Sequence, residues 1–254
     1  MLSRGPLFVG LDYDGTLSEI VRHPADARPL AHIPDLLNRL SRHRRRLSIA
    51  VISGRELAEL RRMLGNIDGV LFSGSHGLEI VGFDGKRRTT PGIEKSFADL
   101  GAARTWIARN VPTDCGFVVE DKQVAIALHY RMVDEFMATK VREAMREFID
   151  KETNELRILE GKMIDELLPR EATGKGTALK ILLGETNLAA PTPVYFGDDT
   201  TDEDAFQTIH DGGVGVLVGE PRPSHAKYWL AGPPEVERTL TDILEALEKT
   251  RKPD

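Results

Sequence analysis

The chain begins by alternating short apolar runs with helical patterns. Residues 7–11 and 47–52 are almost wholly apolar, as expected of strands that are covered on both faces of a sheet. Between them, residues 33–40 place apolar side chains at i, i+3, i+4 and i+7, which is the spacing of an amphipathic helix. The same rhythm returns in residues 179–247, where 214–218 is another buried run. Strands that alternate with helices predict right-handed crossovers and a Rossmann-like parallel sheet in an α/β core.

The middle of the chain has a different pattern, which predicts an inserted unit of the α+β class. Its predicted elements are a helix at 100–110, strands at 116–120 and 124–131, a long helix from 133 to 148, and strands at 156–159 and 163–167. This order is αββαββ. We therefore predict a core domain formed by residues 1–97 and 172–254, and an inserted domain at 98–171.

The second strand of the insert alternates regularly between apolar and polar side chains. Ile126, Leu128 and Tyr130 fall on one face, whereas His129 and Arg131 fall on the other. Such alternation is typical of an antiparallel sheet with one face open to solvent. The open face is therefore a candidate binding surface.

Two carboxylates follow the first apolar run. Asp12 and Asp14 are two positions apart, so in extended chain their side chains point to the same side. Gly15 then permits a sharp turn away from the sheet. Helix capping explains this pair poorly because neither residue begins an obvious helix. Since ligands bind beyond the carboxyl ends of parallel strands, the pair predicts a functional site there.

A second acidic cluster follows the apolar run at 194–196. Five acidic residues occupy seven positions from Asp198 to Asp204, and they would repel one another unless some of them met a cation. Oxygen ligands indicate Mg²⁺, whereas one cysteine and no histidines at ligand spacing argue against zinc. Helix N-capping remains an alternative for the residues at 202–204.

Two further segments are ambiguous on their own. Ser53, Gly54 and Arg55 follow the run at 47–52 and read equally well as a helix cap and as part of a site. Lys175 lies between two glycines, where an isolated lysine is usually a solvated loop residue. Their position among the other motifs makes them candidates.

Four segments occur in a fixed order: DYDGTL at 12–17, ISGR at 52–55, GKG at 174–176 and GDDTTDEDAF at 197–206. Together they resemble the four motifs of the haloacid-dehalogenase-like phosphatase superfamily, with a cap domain inserted between the second and the third. Additional segments are GSHGLE at 74–79, LHYR at 128–131, EGKMIDELLP at 160–169 and the stretch at 24–29. These resemble the trehalose-6-phosphate phosphatase family over nearly the whole chain. One departure is Leu168, where that family usually has a basic residue.

The resemblance implies an Mg²⁺-dependent phosphatase that hydrolyses trehalose 6-phosphate to trehalose and phosphate, in trehalose biosynthesis, through an aspartyl-phosphate intermediate. The implied catalytic residues are Asp12, Asp14, Ser53 and Lys175. The implied metal-site residues are Asp12, Asp14, Asp198, Asp199 and Asp202. The implied substrate-binding residues are Ser53, Gly54, Arg55, His76, His129, Arg131, Glu160, Lys162 and Glu166. Regular alternation would place Glu160, Lys162 and Glu166 on one strand face.

Other functions remain open on the same residues. Within this fold, the substrate could instead be sucrose 6-phosphate or a glycosylglycerate phosphate, and a phosphohexomutase would transfer phosphate within its substrate. A receiver domain with a phosphate-accepting aspartate belongs to another class, but it is about half as long as these 254 residues and has no cap. A protein that only binds sugar phosphate would not need the intact acidic set.

Composition and charge argue against several classes of partner and location. Because 34 basic residues face 40 acidic ones, the net charge of −6 argues against a nucleic-acid partner. The arginines at 42 and 44–46 follow a predicted helix, where cations favour the helix dipole. The apolar stretch at 7–11 is too short for a signal peptide or a membrane span. With Cys115 as the single cysteine, we expect a cytoplasmic protein with a small-molecule substrate, no membrane partner, and a monomeric state.

Overall fold

The computed structural model describes residues 5–21, 23–161, 163–172 and 174–249. The chain divides into two compact units: the first comprises Met1–Arg88 with Thr173–Asp254, and the second comprises Thr89–Ala172. The strands are β1 (Leu7–Leu11), β2 (Leu47–Ile52), β3 (Val70–Gly74), β4 (Glu79–Val81), β5 (Arg87–Thr89), β6 (Val118–Lys122), β7 (Ala125–His129), β8 (Leu156–Gly161), β9 (Ile164–Pro169), β10 (Thr192–Gly197), β11 (Val214–Val218) and β12 (Tyr228–Leu230). The helices are α1 (Ile33–Leu40), α2 (Leu57–Leu64), α3 (Phe97–Asn110), α4 (Glu135–Glu152), α5 (Gly174–Gly184), α6 (Glu203–Thr208) and α7 (Pro233–Lys249).

The first unit is built on a sheet whose described strands run in the order β12-β11-β10-β1-β2-β3-β4-β5. All pairs from β12 to β3 are parallel, and β4 pairs antiparallel with β3. The parallel α/β core predicted from the alternating apolar runs is therefore confirmed. Because β1 lies between β10 and β2, chain segments from both ends of the sequence meet at the centre of this sheet.

Both faces of this sheet are covered by helices. Leu7, Val9 and Leu11 pack into one apolar layer with α1, α2 and α7, whereas Phe8 packs into the opposite layer with α5 and α6. Successive side chains of a strand point to opposite faces, so a strand buried on both sides must be apolar throughout. This requirement explains the unbroken apolar run of β1.

The second unit is a four-stranded antiparallel sheet in the order β6-β7-β9-β8, with α3 and α4 packed on one face. Ile126, Leu128 and Leu167 of the sheet form one apolar cluster with residues of both helices, such as Ala103 and Met145. The order α3-β6-β7-α4-β8-β9 confirms the predicted αββαββ insert.

Some element boundaries differ from the sequence prediction. The strand predicted at 116–120 lies at Val118–Lys122, because Gly116 adopts a left-handed backbone with φ near +97° and ends the preceding turn. Strands β4, β5 and β12 were not predicted, since each has only three residues. No helix in the described ranges combines the length and the apolar character that crossing a membrane requires.

Candidate active site

Three neighbouring parallel strands end at the same edge of the first sheet. Asp12 follows β1, Ser53 follows β2 and Asp198 follows β10, and these strands pair in the order β10-β1-β2. The backbone N–H of Asp12 donates to the carbonyl of Phe196 at 2.9 Å, which ties the end of β1 to β10. The candidate residues after the apolar runs are therefore brought together by sheet topology.

Lys175 is buried between two carboxylates. Its Nζ lies 3.0 Å from Oδ1 of Asp12 and 2.8 Å from Oδ1 of Asp202. Burial disfavours the ammonium, but Asp12 and Asp202 outweigh it and hold the pKa of Lys175 above its ordinary value. Lys175 is thus a fixed positive charge beside the Asp12 carboxylate, and the solvated loop lysine expected of an isolated residue is not what the structure shows.

Asp12, Asp198 and Asp202 offer carboxylate oxygens that all lie within 4.8 Å of one another. Burial raises the pKa of Asp12 well above its ordinary value, the neighbouring carboxylates add to this shift, and Lys175 opposes it. Burial and the charge of Asp202 likewise raise the pKa of Asp198 to about 7. A divalent cation would favour the ionised forms of both groups, so the donor set fits a hard cation that prefers oxygen.

Gly15 makes room for this cluster. Its φ is +72°, and a Cβ added there would lie 2.1 Å from Oδ2 of Asp198. No side chain larger than hydrogen therefore fits unless Asp198 moves. The glycine predicted for a sharp turn also sets the position of a candidate metal ligand.

Asp202 is fully buried and already has four hydrogen-bond donors. Its Oδ2 accepts the backbone N–H groups of Asp198 and Asp199, both at 3.0 Å. Its Oδ1 accepts the hydroxyl of Tyr195 and the ammonium of Lys175, both at 2.8 Å. Asp202 therefore fixes the turn that carries Asp198 and the position of Lys175.

Asp199, which was also predicted as a metal-site residue, uses its carboxylate as a cap. Oδ1 of Asp199 accepts the backbone N–H of Thr200 at 2.7 Å, at the start of a short 3₁₀ turn. It does not belong to the group of three carboxylates found among the described residues. The capping alternative for the acidic cluster thus accounts for part of it.

Asp14 is paired with Arg55. The guanidinium of Arg55 donates from Nε to Oδ2 at 2.7 Å and from Nη2 to Oδ1 at 2.8 Å, which is a bidentate contact. Arg55 also donates to Glu59 at 2.9 Å and lies over the ring of Tyr13 at 5.4 Å. Since the side chain of Arg55 is only 7% exposed, the structure shows it orienting Asp14.

Ser53 lies in a turn that also holds His76. The backbone N–H of Arg55 donates to Oγ of Ser53 at 3.2 Å, and the N–H of His76 donates to the Ser53 carbonyl at 3.2 Å. A Cβ on Gly54 would lie 2.5 Å from Nε2 of His76, so a glycine is required for this approach. Ser75 and His76 both have left-handed φ values, +48° and +54°, which cost about 1–3 kcal/mol each for residues other than glycine.

Glu79 supports this strained turn. The carboxylate is 2% exposed and accepts the backbone N–H of Leu57 at 3.3 Å and the hydroxyl of Ser75 at 3.4 Å. Arg87 forms an ion pair with the same carboxylate. Through Glu79, the GSHGLE segment that follows β3 is therefore hydrogen-bonded to the start of α2, close to Ser53.

In the second unit, Glu166 lies on the sheet face opposite the helices. Its carboxylate pairs with the ammonium of Lys122 at 2.5 Å, and both side chains are nearly buried. His129 is on the same face and contacts Glu120 at 3.2 Å. Leu168 also lies on this face, in β9, and is fully buried.

The predicted common face of Glu160, Lys162 and Glu166 is wrong. Glu160 is directly opposite Asp165 in the β8–β9 hairpin, so it points to the helix side, whereas Glu166 points away from it. The carboxylate of Glu160 contacts Arg142 at 3.2 Å and Arg146 at 2.7 Å, both on α4. The left-handed turn at Met163, with φ +64°, interrupts the alternation on which the prediction rested.

Lys162 and Arg131 are two further substrate residues predicted in the second unit. Lys162 lies outside the described residues. Arg131 is exposed and follows β7 in a turn. Their predicted roles, like those of Ser53, His76 and His129, remain predictions.

The sequence analysis did not predict the contacts that four residues make in the structure, although it included Asp204 in the acidic cluster and among the possible helix caps. The four residues are Lys122, Tyr195, Asp204 and Arg222. Asp204 accepts the backbone N–H of Gly176 at 2.7 Å and so caps α5 next to Lys175. Lys122 offers no local signal because its partner Glu166 is 44 residues away in the sequence. Arg222 lies in a loop that has no motif.

Comparisons with known proteins identify the family of the chain. The family model described as trehalose-phosphatase matches residues 10–234. A trehalose-phosphate phosphatase of Mycobacterium avium (strain 104) is 34% identical over 251 residues, which is 95% of this chain and 63% of that protein. A trehalose-phosphate phosphatase of Mycobacterium leprae (strain TN) is 31% identical over 258 residues, covering 96% of this chain and 59% of that protein. The chain thus spans about three fifths of the length of these curated relatives.

A solved structure supports the same assignment. The C-terminal domain of trehalose-6-phosphate phosphatase from Candida albicans superimposes with a TM-score of 0.79 and 25% identity. The alignment covers 96% of this chain and 94% of that domain. These matches establish that the chain belongs to the trehalose-phosphatase family.

Proposed function

We propose that the chain hydrolyses trehalose 6-phosphate to trehalose and phosphate, with Mg²⁺ as its cofactor. The observation that carries this proposal is the buried contact between Asp12 and Lys175 at 3.0 Å, at the edge where Asp198 also lies. A carboxylate held beside a permanent cation is suited to attack a phosphorus atom. The curated relatives are described as trehalose-phosphate phosphatases, which supports the substrate.

The reaction proceeds in two displacements. Oδ of Asp12 attacks phosphorus, the bond from phosphorus to the sugar oxygen breaks, and Asp14 gives its proton to that oxygen. A water molecule then attacks the phosphorus of the aspartyl-phosphate while Asp14 takes its proton, which releases phosphate and restores Asp12. To act as the acid, Asp14 must give up its bidentate contact with Arg55.

The phosphoryl group carries negative charge that the site must stabilise. Lys175 and the hydroxyl of Ser53 are the groups proposed to hold its oxygens. Asp12 and Asp198 are the proposed carboxylate ligands of Mg²⁺, with the main-chain carbonyl of Asp14, while Asp202 and Asp199 hold the surrounding turn. When bound, Mg²⁺ supplies positive charge that offsets the charge on the transferring phosphoryl group.

Selection of the sugar is proposed to depend on the second unit. The residues of the first unit named above recognise only phosphate, so they do not distinguish one sugar from another. Hydroxyl groups are discriminated by polar side chains that are left unpaired when the wrong sugar binds. Glu166 and His129, on the sheet face opposite the helices, are the proposed residues, with Lys162 and Arg131.

A phosphate-release screen tests this proposal. Trehalose 6-phosphate, sucrose 6-phosphate, a glycosylglycerate phosphate and hexose 6-phosphates are assayed at equal concentration, with Mg²⁺ and with excess chelator. We expect the largest kcat/KM for trehalose 6-phosphate and no turnover in chelator. A higher kcat/KM for another sugar phosphate would overturn the assignment of trehalose 6-phosphate as the substrate. Full turnover in chelator would overturn the proposed requirement for Mg²⁺.

The cellular setting is a further part of the proposal. We propose that the chain acts in the cytoplasm, and the exposed free thiol of Cys115 is consistent with a reducing compartment. Fractionation of cells that express the chain, with detection by antibody, is the direct measurement.

A further inference from the structure

The turn that carries Asp198 is held from two sides. Asp202 accepts the N–H groups of Asp198 and Asp199 on one side, as described above. On the other side, Nη2 of Arg222 donates to the carbonyl of Asp199 at 2.8 Å and to that of Asp198 at 3.4 Å. All four main-chain polar groups of these two residues therefore have partners, and the peptide planes that orient the Asp198 side chain are fixed.

Arg222 comes from a distant part of the sequence. It lies in the loop between β11 and β12, and Nη1 of its guanidinium donates to Oε1 of Glu203 at 2.6 Å and to the carbonyl of Pro223 at 3.3 Å. Glu203 in turn accepts the backbone N–H of His225 at 2.8 Å, so the same carboxylate also holds the far side of the loop. The guanidinium is thereby anchored before it reaches the Asp198–Asp199 turn.

We propose that Arg222 is a positioning residue that holds Asp198 in the orientation needed to bind Mg²⁺. The inference rests on the proposed metal site. Arg222 itself contacts the carbonyls behind the ligand and not the carboxylates of the cluster, so it acts through the orientation of Asp198. Groups that orient a metal ligand typically contribute a factor of about 10–100 to metal affinity.

Charge and orientation predict opposite effects when Arg222 is removed. If its positive charge were what mattered, its loss beside an acidic cluster would tighten the binding of a cation. If orientation matters, its loss weakens binding, because the Asp198 carbonyl loses the Arg222 donor and the Asp199 carbonyl keeps the backbone N–H of Asp202 at 3.1 Å, so the turn is held less firmly. A lysine keeps the charge but lacks the planar fork that reaches Glu203 and both carbonyls together, so orientation predicts weaker binding for Arg222→Lys as well.

The experiment measures Mg²⁺ binding by isothermal titration calorimetry on the full chain without substrate. We expect Kd to rise by about 10–100-fold in Arg222→Ala and by a smaller factor in Arg222→Lys. Arg238→Ala is the matched control, because Arg238 is 71% exposed on α7 and, within the described part of the chain, forms one long ion pair of 3.5 Å with Glu235. Its Kd should equal that of the unmodified chain.

Kinetics supply the second readout. In Arg222→Ala, the Mg²⁺ concentration that gives half-maximal turnover should rise by the same factor as Kd. The kcat at saturating Mg²⁺ should return to within about twofold, since a positioning residue does not contact the substrate. A loss of kcat that Mg²⁺ does not restore would contradict the assignment.

Asp198→Asn separates this inference from the proposal on which it rests. If that variant binds Mg²⁺ as tightly as the unmodified chain, the proposed metal site is wrong and the role of Arg222 falls with it. If Asp198→Asn abolishes binding but Arg222→Ala and Arg222→Lys bind normally or more tightly, only the inference is overturned. Thermal unfolding establishes whether each variant is folded. If Arg222→Ala is not folded, the Kd of Arg222→Lys provides the test.

Discussion

The carboxylates at the strand ends differ in their hydrogen-bond partners. Asp12, Asp198 and Asp202 lie within one cluster, yet Asp202 is engaged by four donors and cannot turn toward a ligand without losing them. A buried carboxylate that loses its donors pays a desolvation cost, so its orientation is stable. Asp12 has one oxygen, Oδ1, in contact with Lys175, which leaves Oδ2 for the proposed attack on phosphorus. Similar residues therefore act differently because their hydrogen-bond partners differ.

The first prediction concerns Asp12→Asn. Asparagine has nearly the same shape but is not a nucleophile, and Lys175 retains its contact with Asp202. We expect kcat for trehalose 6-phosphate to fall by about 10³-fold or more while the unfolding temperature changes little. Steady-state phosphate release and circular dichroism measure the two quantities. Turnover above a tenth of the unmodified value would rule out Asp12 as the nucleophile.

The second prediction concerns Gly15→Ala. The new Cβ meets the Asp198 carboxylate, and φ of +72° disfavours alanine, so we expect at least tenfold weaker Mg²⁺ binding and about 1–3 kcal/mol lower free energy of unfolding. Gly101→Ala is the control, since Gly101 is exposed in α3 with open space around it. In Gly101→Ala, the free energy of unfolding should rise by about 0.5–1 kcal/mol. Calorimetry measures the Mg²⁺ affinity, and urea unfolding measures the free energy of unfolding. Equal changes of these two quantities in Gly15→Ala and Gly101→Ala would refute the steric argument.

At the scale of the element, burial decides how well the sequence predicts the structure. The strand at Val214–Val218 has its predicted bounds, because an apolar run between two glycines can be identified directly from the sequence. The hairpin of β8 and β9 was predicted as two strands, but the faces of Glu160 and Glu166 depend on register. Register depends on the turn at Met163, and alternation carries no information across a turn. Edge strand β12 pairs on one side only and has no apolar run long enough to identify it.

Some residues of the candidate site are predictable from the sequence and others are not. Asp12, Ser53, Lys175 and Asp198 were predictable because each follows or begins a regular element, so their meeting follows from parallel topology. Arg222 was not predictable because its contacts are with main-chain carbonyls, which any sequence offers. Long-range contacts of a loop residue require the folded chain.

The third prediction concerns the sheet of the second unit. Glu166→Gln keeps the size of the side chain but removes the charge that pairs with Lys122. If this face selects the sugar, kcat/KM for trehalose 6-phosphate should fall by at least about tenfold, while that for p-nitrophenyl phosphate stays within about twofold. Glu147→Gln, an exposed member of an α4 surface pair, is the control and should leave both unchanged. Equal losses on both substrates from Glu166→Gln would show a structural role instead.

At the scale of the whole molecule, each unit has its own apolar core. The layers around the eight-stranded sheet contain residues of the first unit, and the cluster around α3 and α4 contains residues of the second. Each core is assembled from its own strands and helices, so stability is set unit by unit.

The fourth prediction follows from these separate cores. Leu128 is fully buried in the second unit, so Leu128→Ala should destabilise that unit by about 2–5 kcal/mol. Hydrogen exchange should then become faster in β6, β7, β8 and β9 but not in β1, β2 and β10. Exchange that became equally fast in both sheets would show that the units unfold together.

The position of β1 between β2 and β10 has a consequence for biosynthesis. On the ribosome, β1 emerges before β2 and β3, but its other neighbour, β10, follows only after residues 89–172 have been made. Until Thr192–Gly197 leaves the exit tunnel, the nascent chain carries Asp12 at an unpaired strand edge, without Lys175 locked beside it. The emergence of β10 therefore pairs this strand edge and brings the proposed metal ligand Asp198 next to Asp12.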